Sequence, residues 1–164
     1  MSYYPIGSPV RPHRVHQVIS SKVFRFVADH LDNHNVLLPL YEAGLNDADP
    51  RTLAPDISIF DKSENVPVVC IQFYHNRGLS TELKTNTRLM AEYESVEEVF
   101  LICYKETGPY TYDIKGYSAF KRRGDYTMDP GYWKGKLIEG DSSSEILGIN
   151  FRSVLEKGNL LFGL

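Results

Sequence analysis

PDISIFDKSENVPVVCIQFYHNRGLSTELKTNTRLMAEYESVEEVFLICY, residues 55–104, is the stretch on which the fold turns. It reads as strand, turn, strand, helix, strand. Pro55 and Asp56 open the first strand, where Ile57 and Ile59 face one side while Asp56, Ser58 and Phe60 face the other. After a polar turn through Asp61, Lys62, Ser63, Glu64 and Asn65, the run Val66–Phe73 is apolar on both faces, as a strand covered on both sides must be. Ser80 or Thr81 can cap the next helix, with Glu82 favourably placed in its first turn. Leu83, Thr87, Met90 and Ala91 form its inward stripe, and it ends near Ser95. Val99–Tyr104 is again fully apolar. A helix between two buried strands predicts a right-handed crossover joining parallel neighbours. Two polar side chains interrupt this pattern, Asp56 at the first strand's start and Gln72 inside the central strand.

Working outward, Val15, Val18, Ile19, Val23, Phe26, Val27 and Leu31 recur at steps of three and four, predicting an amphipathic helix from His13 to about Asn33. Residues 1–12 hold three prolines and predict an extended arm. Val36–Ala43 is a short apolar run broken by Pro39, hence an edge strand, and residues 44–50 form a loop. Beyond Tyr104 the texture is antiparallel. A strand is expected over Thr111–Tyr117. A hairpin is expected from Ala119–Arg123 and Tyr126–Met128 around Gly124-Asp125, with another strand within Tyr132–Ile138. Gly140–Ser144 reads as a flexible turn, Ile146–Phe151 as a short apolar piece, and Arg152–Glu156 as a last helical turn. No repeat appears.

At 164 residues the chain is expected to be one domain with one real core. A formal charge of -3 gives no general attraction to polyanions, so nucleic-acid binding requires a local basic patch or a bridging metal. Cys70 and Cys103 lie in apolar strands without CxxC spacing, which predicts buried free thiols in a reducing compartment. No signal peptide and no membrane-length apolar run is visible, so a cytoplasmic location is expected. No Gly-rich phosphate loop, nucleophile elbow or Cys/His metal pattern supports an α/β enzyme of another class.

The order of elements resembles the PD-(D/E)XK, or restriction-endonuclease-like, superfamily: a helix, a strand opening with Pro-Asp, a central strand with one polar residue, and a helix carrying a lysine. Within it the chain is most similar to the Uma-type candidate endonucleases. The early helix resembles that branch's opening helix, and Leu53-Ala-Pro-Asp-Ile-Ser-Ile59 its Pro-Asp strand. Val96-Glu-Glu-Val-Phe-Leu-Ile102 resembles its next strand, and Ile146-Leu-Gly-Ile-Asn-Phe151 its closing apolar segment. The resemblance implies an α/β fold over residues 1–164, with a mixed central sheet flanked by helices and an antiparallel C-terminal extension.

It also implies a chemistry. Phosphodiester hydrolysis in this family uses a divalent cation, Mg2+ or Mn2+, to polarise the phosphate, and a lysine to orient water. Carried over by position, Asp56 is the first metal ligand, Gln72 stands where the second carboxylate belongs, and the carbonyl of Phe73 is a further ligand. Tyr74 stands where the motif calls for lysine. The following helix then supplies the cation, Lys84 first and Arg88 second, with His75 a local substitute. DNA is the implied partner. The replaced acid and lysine equally suit a catalytically inactive descendant that binds nucleic acid or protein.

Bland readings stand beside each residue. Asp56 caps a turn, Gln72 is a core amide bonded to backbone, Lys84 and Arg88 are a solvated helix face, and His75 merely ends a strand. His13 and His16, one turn apart with Gln17 beside them, lack a third metal ligand, although a side chain of this helix can border the superfamily's site. Glu42 is a weaker source of the missing carboxylate. Lys121-Arg122-Arg123 reads as a surface basic run at a hairpin tip, able to touch phosphate. The rings of Tyr110, Tyr112, Tyr117, Phe120, Tyr126, Tyr132 and Trp133 can stack bases, pack a sheet or form a homodimer interface.

Overall fold

A computed structural model describes residues 14–46, 53–75, 81–122 and 137–157, with only the backbone of residues 81–84. The extended arm, His13, Arg123, the outer hairpin arm at 126–128 and the rings of Tyr126, Tyr132 and Trp133 lie outside these residues.

The first helix, α1 (Arg14–His30), contains no proline or glycine, and its buried stripe is Val15, His16, Ile19, Ser20, Val23 and Val27. Each fully buried aliphatic side chain there contributes about 1.5–3 kcal/mol. The chain turns at Asn33, which takes a left-handed φ of 64°. Next come β1 (Leu37–Tyr41), β2 (Ile57–Asp61) and β3 (Val66–His75). The β2–β3 turn is an Asx turn: Asp61 Oδ1 accepts from the amides of Ser63 at 2.8 Å and Glu64 at 3.2 Å, and Asn65 closes it at φ 56°. Helix α2 (Thr81–Ala91) leads to β4 (Glu98–Glu106), β5 (Tyr112–Lys121) and β6 (Ile138–Glu139).

The six strands form one sheet in sequence order, antiparallel except for the β3–β4 pair that α2 bridges. The expected parallel pair with a helix between its strands and the Pro39 edge strand are both present. Alternation sorts the core into two layers. Ile57, Ile59, Val69, Ile71, Phe73, Phe100 and Ile102 meet α1, whereas Cys70, Met90, Ala91, Val96, Val99 and Phe120 pack on the α2 side. Met90, Ala91 and Thr87 of the predicted α2 stripe are buried. Both cysteines are free and buried, and burial pushes the Cys70 thiol up to about 12, so neither is an activated nucleophile.

The C-terminal half departs from the sequence reading in three places. A single strand, β5, spans the expected break between Tyr117 and Ala119, where Ser118 pairs with Leu101 in regular register; the strand's one bulge lies earlier, where Ile114 and Gly116 face the consecutive Tyr104 and Cys103. The expected flexible turn at 140–144 instead contributes β7 (Ser143–Ser144), paired with β8 (Ile149–Asn150) through a turn closed by Gly148 at φ 66°. A π-helical turn, Ser153–Lys157, follows.

The third departure is Lys121. It is buried rather than part of a surface basic run, with Nζ 2.9 Å from each oxygen of Asp141, and it donates to the Ser143 carbonyl. It lies in register with Glu98, itself buried, whose oxygens accept from Ser144 Oγ at 2.6 Å and the Glu145 amide at 3.0 Å. Arg122 donates to the carbonyls of Ala91 and Glu94, neutralising the carbonyl end of α2.

Burial holds the Glu98 carboxyl above its ordinary value of 4.5, against the opposing pull of its hydrogen bonds and of Lys121. A proton held to higher pH in the folded than in the unfolded chain stabilises the fold below that ordinary value. This stabilisation is lost as pH rises through the raised one. The Glu98 contribution should therefore fall as pH rises above that ordinary value, so urea unfolding as a function of pH should show a more negative slope for the natural chain than for Glu98→Gln. An unchanged slope in the variant refutes the assignment.

Candidate active site

Pro55 directs the chain into β2, and Asp56 occupies the bend just before it, with no exposed surface. Beyond the Ile57–Ile71 pairing the antiparallel ladder between β2 and β3 runs out. Side chains complete it. Asp56 Oδ2 accepts from the Phe73 amide at 2.7 Å, while the Asp56 amide donates to Gln72 Oε1 at 3.1 Å. Each of the two polar side chains therefore satisfies a backbone donor of the opposite strand. The Asp56 carbonyl in turn accepts from the Glu42 amide at 3.0 Å.

The same Oδ2 has a third neighbour. His16 Nε2 lies 3.2 Å away, delivered from the buried face of α1. The imidazole is wedged edge-on between the rings of Phe73 and Tyr104, each centroid 6.1 Å distant. Sequence reasoning placed His16 near the site without seeing this contact. The available signal was a polar residue within the apolar stripe of Val15, Ile19 and Val23.

Gln72 is drawn in by its bond to the Asp56 amide, whereas Tyr74, Glu42 and Arg88 are directed elsewhere. Gln72 is fully buried, and its Nε2 has no hydrogen-bond partner among the described residues. Tyr74 points to the α2 side beside Cys103, where burial and that thiol push its hydroxyl pKa up. His75 packs edge-on against Tyr104 at 5.6 Å. Glu42 and Arg88 are exposed. Lys84 lies in the first turn of α2, and its side chain is outside the described residues.

Magnesium binds hard oxygen ligands and retains several waters. Here a single carboxylate has one oxygen shared by two nitrogen neighbours, and the amide oxygen is engaged by a backbone donor. The remaining Gln72 group is an N–H donor, which repels a cation. No group of three or more His, Cys, Asp or Glu residues is placed to hold an ion among the described residues. Among the described residues the donor set as arranged does not fit Mg2+ or Mn2+.

Among solved structures, the chain is similar to a candidate nuclease belonging to DUF820 from Anabaena variabilis, with a TM-score of 0.58 and 14% identity over 90% of this chain and 83% of that one. No family model and no curated protein matches. The likeness establishes the fold: a mixed α/β architecture, with a mostly antiparallel six-stranded sheet flanked by helices, that fits the restriction-endonuclease-like class. No helix of the described residues is long and apolar enough to cross a membrane.

Proposed function

We propose that the chain is a nucleic-acid-binding protein of the nuclease fold whose hydrolytic centre is latched shut. The observation that carries this reading is the double use of Asp56 Oδ2, by the Phe73 amide and by His16, at a site with no exposed surface. A hydrolytic carboxylate must reach a phosphate-bound ion or a water. This one instead ties α1 to the end of the β2–β3 ladder. The structural likeness to a candidate nuclease supports nucleic acid as the partner class.

A metal-dependent endonuclease hydrolysing DNA phosphodiester bonds, with Asp56, Gln72 and Lys84 at its centre, is the second reading. One observation favours it. Gln72 reaches Asp56 across neighbouring strands, its Oε1 accepting from the Asp56 amide at 3.1 Å.

One experiment separates the two. Supercoiled and single-stranded DNA are incubated with the purified chain and Mg2+ or Mn2+, alongside His16→Ala and the double variant Gln72→Glu/Tyr74→Lys. The latched reading expects no nicking by the natural chain. Nicking that is abolished by Asp56→Asn overturns it in favour of the endonuclease.

A further inference from the structure

Away from Asp56, the outer side of α1 forms one wall of a groove of about 850 Å³, closed on the other side by the 107–111 loop and the C-terminal π-helical turn. Its lining includes Arg14, Lys22, Arg25, Phe26, Asp29 and Tyr110. Three cations against one carboxylate make this a locally positive channel on a chain whose net charge is -3. Arg14, Lys22 and Arg25 follow one helical stripe, about 16 Å long at 1.5 Å per residue. That length covers roughly three to five phosphates of a single strand. Phe26 is 44% and Tyr110 62% exposed, so two aromatic rings stand open in the same channel.

The cations are organised around rings. The Arg14 guanidinium lies 5.8 Å from the Tyr110 ring centroid, and Lys22 Nζ lies 5.7 Å from that of Tyr112 while donating to its hydroxyl at 3.3 Å. The Tyr112 hydroxyl is also 3.3 Å from the Leu155 carbonyl, which fixes the groove floor between α1, β5 and the C-terminal turn.

We propose that this groove binds a single-stranded nucleic-acid segment, with Arg14, Lys22 and Arg25 along the phosphates and Phe26 and Tyr110 stacking bases. Cations spaced along a concave channel track a backbone, and exposed rings beside them engage bases of any sequence. A duplex keeps its bases stacked inside and presents none to Phe26 or Tyr110. The groove lies on the side of α1 opposite His16, so the proposal takes only the polymer class from the nucleic-acid reading and is indifferent to turnover at Asp56.

The test is fluorescence anisotropy of the full chain with a labelled oligothymidylate about a dozen nucleotides long. Wild type should bind with an affinity that falls as salt rises. Arg14→Glu/Arg25→Glu should weaken binding at least tenfold and reduce the log–log salt slope by about 1.4. Phe26→Ala and Tyr110→Ala should each cost about tenfold. All four positions are exposed, so folding is preserved. Lys115→Glu, a single charge reversal on the opposite face of the sheet, should have little effect. The inference is overturned if the oligonucleotide fails to bind, or if the groove variants bind as wild type does. It is equally overturned if a duplex binds as tightly and the ring replacements are silent. Duplex binding untouched by the groove variants leaves the nucleic-acid reading standing while removing this groove from it.

Discussion

Asp56→Ala is expected to lower the unfolding free energy by about 3–4 kcal/mol, because it strips the acceptor from two buried nitrogen groups at once. The Phe73 amide loses its 2.7 Å partner and His16 its 3.2 Å partner, at a site that water does not reach. Asp56→Asn retains one acceptor oxygen and should cost about 1–2 kcal/mol. The sign carries the functional weight. A carboxylate kept for chemistry is commonly held at a cost, so its removal stabilises the fold, whereas a latching carboxylate is missed when it is gone. Urea denaturation of both variants decides the matter. An Asp56→Ala midpoint at or above that of the natural chain removes the latch and returns the site to the endonuclease reading.

Lys121→Met is expected to cost about 1.5–3 kcal/mol, because it leaves the Asp141 carboxylate and the Ser143 carbonyl without their charged donor. The side chain is 7% exposed, its ammonium bonds Asp141 and the Ser143 carbonyl, and Glu98 stands beside it in register. Through Ser144 and Glu145 the same cluster pins the β7–β8 hairpin to the sheet. Combining Lys121→Met with Glu98→Gln should recover about 0.5–3 kcal/mol as a coupling energy, because the pull of the lysine on the buried Glu98 carboxyl is already lost in the single variant. Strict additivity of the two variants in a double-mutant cycle counts against the network.

Both sites show what a pattern of residues conveys. The α1 stripe, the two-sided apolar runs of β3 and β4 and the proline in β1 are periodic or local features, and each element formed where they pointed. The crossover followed from chain connectivity, since parallel neighbours need a bridging element. The continuity of β5 through Ser118 was hidden because it rests on the regular pairing of Ser118 with Leu101, a contact between strands that no local residue signals.

The sequence alone determined the parallel β3–β4 pair and the two core faces, because periods of two and three to four residues are set by backbone geometry. Only the tertiary structure decided what Asp56 and Lys121 do. The aspartate's histidine lies forty residues earlier and the lysine's aspartate twenty residues later. Whether a charged side chain is solvated or sealed depends on which distant groups the fold brings to it, and that information is not periodic along the chain.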